Sequence, residues 1–578
     1  MRELKPFPIL VATWTGVACT VAINPWFAYD PINLPKMFFL ALGAGLLLGW
    51  LLVNLSIVRQ KHFQILIPSL LFISFLIFSI LTNNSPLYQQ FWGVWGRSTG
   101  LLSYISFITI LMVAMFFSSA DSLKFVRTWF EKLGYFISAY TLVQVLDLDP
   151  INWSQKLMVA TLGNINFMSS FIGMTTISYT GRFLVERLSF TSKIFYILLT
   201  IVNIWLILIS GSIQGVGVFL AGLTLLIAFK LRQRFKYRHS LVFFLSSVSV
   251  GFLAFFGTAG IGPLSTLRQE TVIFRLDYWR AGVNMLISNP FNGVGIDSYG
   301  DFYREYRTLE AVTRTGPQRV TNTAHNIFLD VFSGSGIFAG FLFLFIMIVT
   351  LRLILVALRE NYGNFDFIAS SAIWLGFMVF CLISINQIGV GVWGFIFTGL
   401  VCGFILNNGS ENNLGGNVGK ENIRNSRKRS KSHDVNTGKA STTFKKSKVT
   451  QFSVALLTVA LGLSALIPNI VDARFLKAVS SGNLDAAISL IDQSGIQDFH
   501  REKLITELVK SNRKDEALAQ SRKLLELNPH NWFAWVTIIS SENAPEGLRR
   551  KAGQQLIRLD PNNRAIRADV AALLGQSK

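Results

Sequence analysis

His325 is the residue whose type and setting most readily allow chemistry. It lies in Asn322-Thr-Ala-His-Asn-Ile-Phe-Leu-Asp-Val-Phe-Ser-Gly-Ser-Gly336, which closes a long polar segment and leads into the apolar run 337–349. His325, Leu329, Phe332 and Gly336 fall at i, i+4, i+7 and i+11, one face of a helix. Asn322 and Thr323 are suitable N-caps, so the spacing predicts His325 in the first helical turn. There the helix dipole disfavours an imidazolium and leaves a neutral ring able to accept a proton. A neutral histidine at a water–membrane boundary is a candidate general base. The alternative is an interfacial histidine that caps a membrane helix.

The polar segment before it, residues 260–323, carries Arg268, Arg275, Arg280, Arg304, Arg307, Arg314 and Arg319 and no lysine. Six acidic residues nearly balance them, so most are expected to be paired or solvated. Arginine at every cationic position suits bidentate recognition of phosphate or carboxylate. Arg275 and Arg280 are five apart, roughly 140° around a helix, and are not expected to grip one phosphate together. Val272, Leu276, Trp279, Val283 and Leu286 predict an amphipathic helix over 266–287, stopped by Asn289-Pro290. Tyr299, Phe302, Tyr303, Tyr306 and Leu309 predict a second, its aromatics forming a packing face or a sugar platform.

The elements that must position these groups are membrane helices. Of 578 residues, 51% are hydrophobic and 15% charged, too apolar a balance for a soluble chain of this length. Thirteen apolar runs approach the ~20 residues that cross a bilayer: 7–24, 35–55, 65–82, 100–118, 133–147, 165–181, 194–210, 214–229, 240–259, 333–351, 367–386, 391–406 and 451–467. No small-residue cleavage site follows the first, so it reads as a span rather than a signal peptide. Cys19, Cys381 and Cys402 all fall inside runs and read as small core residues. No His, Asp or Glu cluster has metal-ligand spacing, and ionisable residues deep in the spans are almost lacking, which argues against a transporter.

The net charge of +21 reads as membrane orientation, not nucleic-acid binding. Arg59 and Lys61, Lys124 and Arg127, Arg182 and Arg187, 230–238, and Arg352 and Arg359 mark one side, which the positive-inside rule makes cytoplasmic. The N-terminus is then cytoplasmic and the C-terminus outside. On the outer side, 83–99 holds Trp92, Trp95 and Arg97, an aromatic belt with one cation. Asn164 and Asn166 enter the next span, in a helix-bridging or a functional role.

The chain divides into a polytopic domain, 1–406, with its large outer loop 260–323; a basic linker, 407–450; a last span, 451–467; and a helical segment, 468–578. The linker, with Arg427-Lys-Arg-Ser-Lys431 and Lys445-Lys446, reads as flexible and topology-anchoring, or as a binder of nucleic acid or acidic lipid. In the last segment Leu527-Asn-Pro529-His-Asn531 recurs 32 residues later as Leu559-Asp-Pro561-Asn-Asn563. This resembles degenerate tetratricopeptide repeats, whose stacks offer a concave surface to a protein partner.

His325-Asn326-x-x-Leu329 followed by Gly336 resembles a signature of the O-antigen ligase/O-antigen polymerase superfamily, as do Pro290-x-x-Gly293-x-Gly295 and Arg275 with Trp279. The similarity spans roughly 90–405 and is strongest from Arg275 to Gly336. It implies an all-α membrane enzyme of the glycosyltransferase-C type with about 12–13 transmembrane helices. It further implies transfer of a glycan from a polyprenyl-diphosphate carrier to a lipid, protein or wall acceptor, inverting and without metal or other cofactor. On this resemblance His325 would be the base and Asn326 would orient the acceptor. Arg275, with Arg280 or Arg97, would stabilise the leaving diphosphate. Many members carry Ser-Arg-Gly at the mouth of a central span; here Ser210-Gly-Ser-Ile-Gln214-Gly215 offers Gln214, a hydrogen-bond donor without charge. A polymerase of the same superfamily, an inorganic-carbon transport protein and an assembly scaffold are the alternatives.

Overall fold

The computed structural model describes residues 6–151, 153, 158–408, 448–494 and 498–575. Nearly all of the expected linker, 409–447 with its basic clusters and His433, lies outside the described residues. No strand forms among the described residues.

Each of the thirteen apolar runs overlaps a helix: α1 (Phe7–Val21), α2 (Asn33–Val53), α3 (Phe63–Thr82) and, after the short α4 (Leu87–Trp92), α5 (Leu101–Phe116) and α6 (Ala120–Val145). There follow α7 (Ile165–Val185), α8 (Phe190–Ile209), α9 (Ile213–Arg232) and α10 (Tyr237–Thr258). Beyond the large loop come α14 (Ile327–Glu360), α15 (Phe365–Ile383), α16 (Ile388–Asn408) and α17 (Lys448–Leu463). Among the described residues nine helices are long and apolar enough to cross a membrane, fewer than the 12–13 expected. The shortfall has a physical cause. α1 and α5 are only 15 and 16 residues long. The 26-residue α6 carries Lys124, Arg127, Glu131 and Lys132, and the 21-residue α7 is rich in serine and threonine.

α16 is the hub: its apolar window is wholly buried, against α5, α1 and α15, whereas α10 lies at the periphery with little of its surface covered. The three cysteines are free and buried. Arg127 and Glu131 are buried and Arg182 is half-buried among α6, α7 and the start of α15, outside the expected apolar runs. Arg127 Nε donates to Asp366 Oδ1 at 2.8 Å and Arg182 Nη2 to Glu131 Oε2 at 2.8 Å. Each charge there has an opposite partner, which is what burial of ions requires. Asn164 caps α7, and Asn166 Oδ1 accepts from Ser212 Oγ at 2.8 Å, tying α7 to the start of α9.

The large loop folds into α11 (Glu270–Ser288), α12 (Tyr299–Tyr306) and α13 (Leu309–Thr315). α11 starts four residues later than expected, and its buried face is Val272, Ile273, Asp277, Ala281 and Met285, leaving Val283 exposed. The aromatics form a packing face: Tyr299 and Tyr303 are buried with Ala281, Met285 and Val294, and Tyr278 and Trp279 pack against them.

The C-terminal segment is a run of helices, each packed on the next: α18 (Leu466–Ser480), α19 (Leu484–Ser494), α20 (Asp498–Lys510), α21 (Lys514–Leu527), α22 (Trp532–Ser540), α23 (Glu546–Leu559) and α24 (Ile566–Gly575). It does not stand apart. Asp472 accepts from the Tyr29 amide at 2.7 Å, and Phe499 stacks on Trp95 with centroids 3.7 Å apart. Trp95 is therefore part of an intramolecular contact rather than of an aromatic belt.

Candidate functional site

The site is assembled from three stretches: residues 94–99, the middle of α11, and the turn before α14. Asp297, two residues past the Pro290-x-x-Gly293-x-Gly295 run, organises the first. It accepts from Val94 N at 2.7 Å and Thr99 Oγ1 at 3.2 Å and pairs with the Arg97 guanidinium. Arg97 also donates from Nη1 to the Asn322 carbonyl at 2.7 Å, which ties this loop to the turn holding His325.

That turn differs from the sequence expectation. α14 begins at Ile327 and its N-cap is Asn326, whose Oδ1 accepts from Leu329 N at 3.1 Å. Asn322 and Thr323 are not the caps, and His325 lies outside the helix, at φ +54°. Left-handed backbone costs a non-glycine residue about 1–2 kcal/mol, although histidine is among the residues enriched there. Asp330, one turn into α14, holds the strained segment. Its Oδ2 accepts from Thr323 Oγ1 at 2.6 Å and its Oδ1 from Ala324 N at 2.8 Å. His325 N in turn donates to Thr323 Oγ1 at 3.2 Å. Of the backbone donors in this turn, Ala324 N is thus met from within α14 and His325 N by the Thr323 hydroxyl that Asp330 holds.

The expected continuous face through Gly336 is also broken. Gly336 has φ +82° and ψ 178°, a kink dividing α14. A Cβ there would lie 2.3 Å from the Phe291 carbonyl oxygen, so only glycine lets the Pro290–Gly295 run approach. Ile337 N donates to Pro290 O at 2.8 Å, and Val294 N and Gly295 N donate to Ser333 O and Gly334 O at 2.9 Å each. The kink frees α14 carbonyls and the glycine-rich run takes them. This fixes Asp297, and with it Arg97, relative to His325.

The His325 ring stacks on Tyr278 of α11, centroids 5.6 Å apart and 30° between planes. Among the described residues its nitrogens have no hydrogen-bond partner. Burial, then the charges of Arg275 and Arg97, pull its pKa down to about 4. The ring is therefore neutral, through burial and two cations rather than through a helix dipole. Arg275, one turn from Tyr278, forms no ion pair or hydrogen bond among the described residues. Burial holds it below the usual arginine value, though a guanidinium remains a cation.

The other candidates are placed differently. Arg280 is exposed and 3.9 Å from Asp277, which Arg314 also pairs at 2.7 Å. The two arginines five apart do diverge. Arg97 is near His325 but already paired with Asp297. Gln214 is buried at the start of α9, donating from Nε2 to the Ile383 carbonyl at 2.9 Å. A cavity of about 20 Å³, room for about one water, lies between Arg97, Tyr104, Asp330, Ser335 and Asn386.

Sequence reasoning missed Tyr278, Asp330 and Arg319. Arg319 lies with its guanidinium 4.2 Å above the Phe274 ring, and its charge, with that of Arg275, acts on Tyr278. Phe274 and Tyr278 are i and i+4 on one helix, a signal available in the sequence but masked by the choice of Trp279 and Val283 for the apolar face.

Residues 197–344 match the family model described as O-Antigen ligase. The match takes in Gln214, Arg275, Arg280, His325 and Asn326. No curated protein matches the chain. The matched region and the many apolar helices fit the O-antigen ligase superfamily and a multi-pass membrane protein with a glycan ligase- or polymerase-type function. The C-terminal helices lie beyond the match.

Proposed function

We propose that this chain, with its O-antigen ligase region at 197–344, transfers a glycan from a polyprenyl-diphosphate carrier to an acceptor hydroxyl at the outer face of the cytoplasmic membrane. The observation that carries the reading is the neutral His325 ring beside a half-buried Arg275, both without a hydrogen-bond or ion-pair partner at the side chain among the described residues. The first can take a proton, and the second can meet a diphosphate.

In this reaction the acceptor oxygen attacks the anomeric carbon while His325 removes its proton. The bond from that carbon to the diphosphate oxygen breaks, and the electron pair leaves with the diphosphate. One displacement inverts the anomeric carbon. Arg275 stabilises the charge growing on the leaving group, where a preorganised cation in a water-poor site is most effective. A ring with a pKa of about 4 is a weak base; burial is the main cause, and an anionic donor beside Arg275 offsets the part that comes from that cation. The donor thus raises the basicity of His325 only when there is work for it. Tyr278 stacks on the ring and limits its rotation. The lipid-linked glycan and the acceptor are the partners this chemistry requires. Loop 260–323 and the C-terminal helices lie outside in this reading, and 407–450 inside.

The test is a strain lacking the gene, complemented with Arg275→Ala or Arg275→Lys. Both variants are expected in the membrane at parental abundance, with carrier-linked glycan accumulating and the acceptor left unmodified. Lysine keeps the charge but loses the planar fork and should restore little. Parental transfer by Arg275→Ala would remove the proposed leaving-group contact.

A further inference from the structure

The two Asn/Asp-Pro turns of the C-terminal segment, 32 residues apart, both face α12 of the large loop. At the first, the His530 ring packs 4.2 Å from Phe302. At the second, Asp560 receives the guanidinium of Arg307 in a fork, Nη2 to Oδ2 at 2.6 Å and Nε to Oδ1 at 3.1 Å. Both side chains are buried, with 1% and 0% exposure, so the pair is not a surface contact that water would screen. Asn562 Nδ2 adds a bond to the Arg307 carbonyl at 2.7 Å.

Arg307 passes the contact on. Its Nη2 donates to Pro317 O at 3.0 Å and its Nη1 to Arg319 O at 3.1 Å. Arg304, stacked 4.3 Å over Trp532, donates to the same Pro317 carbonyl at 2.9 Å. The peptide 317–319 has little else to fix it: Gln318, Arg319 and Val320 are exposed. Yet the Arg319 side chain has a defined place, over Phe274 and beside Tyr278, which stacks on His325.

We infer that Asp560 is a positioning residue for glycan transfer: through Arg307 it holds peptide 317–319 so that Arg319 stands with Arg275 as a second cation for the donor diphosphate. The inference rests on the function proposed above. It makes the C-terminal helices part of the transfer apparatus, with the surface of their repeated turns occupied by the chain's own loop. Truncating Asp560 leaves Arg307 a buried cation without a counter-ion, and its fork no longer has a fixed base. Displacements of about 1 Å at a site cost up to ~10²-fold in rate.

The experiment uses the full-length protein in proteoliposomes with a carrier-linked glycan donor. Asp560→Ala and Arg319→Ala are each expected to slow transfer at least tenfold, and the double variant to be no slower than Arg319→Ala alone, since both remove one interaction. In the same preparation trypsin is expected to cut after Arg319 in Asp560→Ala and to spare that bond in the parent. Should Asp560→Ala accumulate poorly, Asp560→Asn, which keeps the shape of the side chain, gives the same readings. Parental transfer by the Asp560 variants, or single effects that multiply in the double, overturns the inference. The two readings fail separately. An inactive His325→Asn with an unimpaired Asp560→Ala refutes only the role of Asp560, whereas an active His325→Asn refutes the transfer chemistry and leaves trypsin sensitivity to judge whether Asp560 holds peptide 317–319.

Discussion

Replacing His325 tests two properties of the residue, its ring and its backbone, and the structure separates them. At φ +54° the residue is left-handed, so His325→Ala deletes a base and also gives up histidine's tolerance of that region, a part of the about 1–2 kcal/mol that left-handed backbone costs. Asparagine enters that region readily, and glycine does so without penalty. The Thr323 and Asp330 bonds that shape the turn use backbone and neighbouring side chains, so they survive all three changes. His325→Asn and His325→Gly should therefore insert and accumulate like the parent, with His325→Ala less stable by about 1 kcal/mol. Loss of a general base costs ~10² to 10⁴ in rate, or about 2.7–5.5 kcal/mol of barrier. Strain in the turn is too small to imitate that. In a transfer assay from carrier-linked donor, all three variants should fall by that factor. If His325 only forms the turn, asparagine and glycine would transfer at the parental rate and alanine alone would suffer. That pattern would refute the base assignment.

Three further expectations follow from the electrostatics and the proposed orientation. Burial, then Arg275 and Arg97, holds His325 near 4 in the free protein, and donor binding beside Arg275 should offset the second cause, so the acid limb of kcat should lie at higher pH than that of kcat/KM; a kcat limb at or below the other would refute the proposed rise in basicity on donor binding. At the interface of α12 and α20, burial and the neighbouring Asp498 push Asp301 up to about 7, and burial pushes Glu502 up to about 7. The docked state binds protons more tightly than the undocked one, so docking is strongest below the ordinary carboxylate range and weakens as pH rises through about 7. Hydrogen exchange of residues 299–306 should accelerate over that interval, and Asp301→Asn should flatten the response. Finally, Thr315→Cys should react with an impermeant thiol reagent on intact cells and Asn436→Cys should not; the reverse pattern would invert the topology.

Much of the fold was legible because bilayer-length apolar runs are a strong signal: every run expected to be a span overlaps a helix. What the sequence hid was tertiary. Lys124, Arg127, Glu131 and Lys132 lowered the apolarity of α6, and nothing local announced that Asp366 and Arg182 complete a buried network with two of them. The histidine turn was misread for a similar reason. Asn322 and Thr323 are good caps locally, but Asn326 takes the cap and Asp330 folds the preceding residues back on α14. The kink at Gly336 depends on the approach of Phe291, some 45 residues upstream, which helical periodicity cannot register.

The arginines of the loop show how partners, rather than composition, single out a site. Arg268 pairs with Glu270, Arg280 and Arg314 share Asp277, and Arg304 and Arg307 converge on Asp560. In the stretch 83–99 Arg97 is already paired with Asp297. Among the described residues this leaves Arg275 and Arg319 without an acidic partner, and both act on Tyr278, the ring stacked on His325. An unpaired cation that is half-buried is costly unless something anionic visits it. The chain carries acidic residues enough to neutralise nearly every loop arginine, and one of them, Asp560, is brought from the far end of the sequence to do so. Leaving Arg275 beside a neutral histidine, and Arg319 beside the Tyr278 that stacks on it, without an acidic partner among the described residues is therefore a property of this place rather than a shortage of carboxylates. It is also the ground on which we propose an anionic leaving group, rather than a neutral sugar alone, as the ligand.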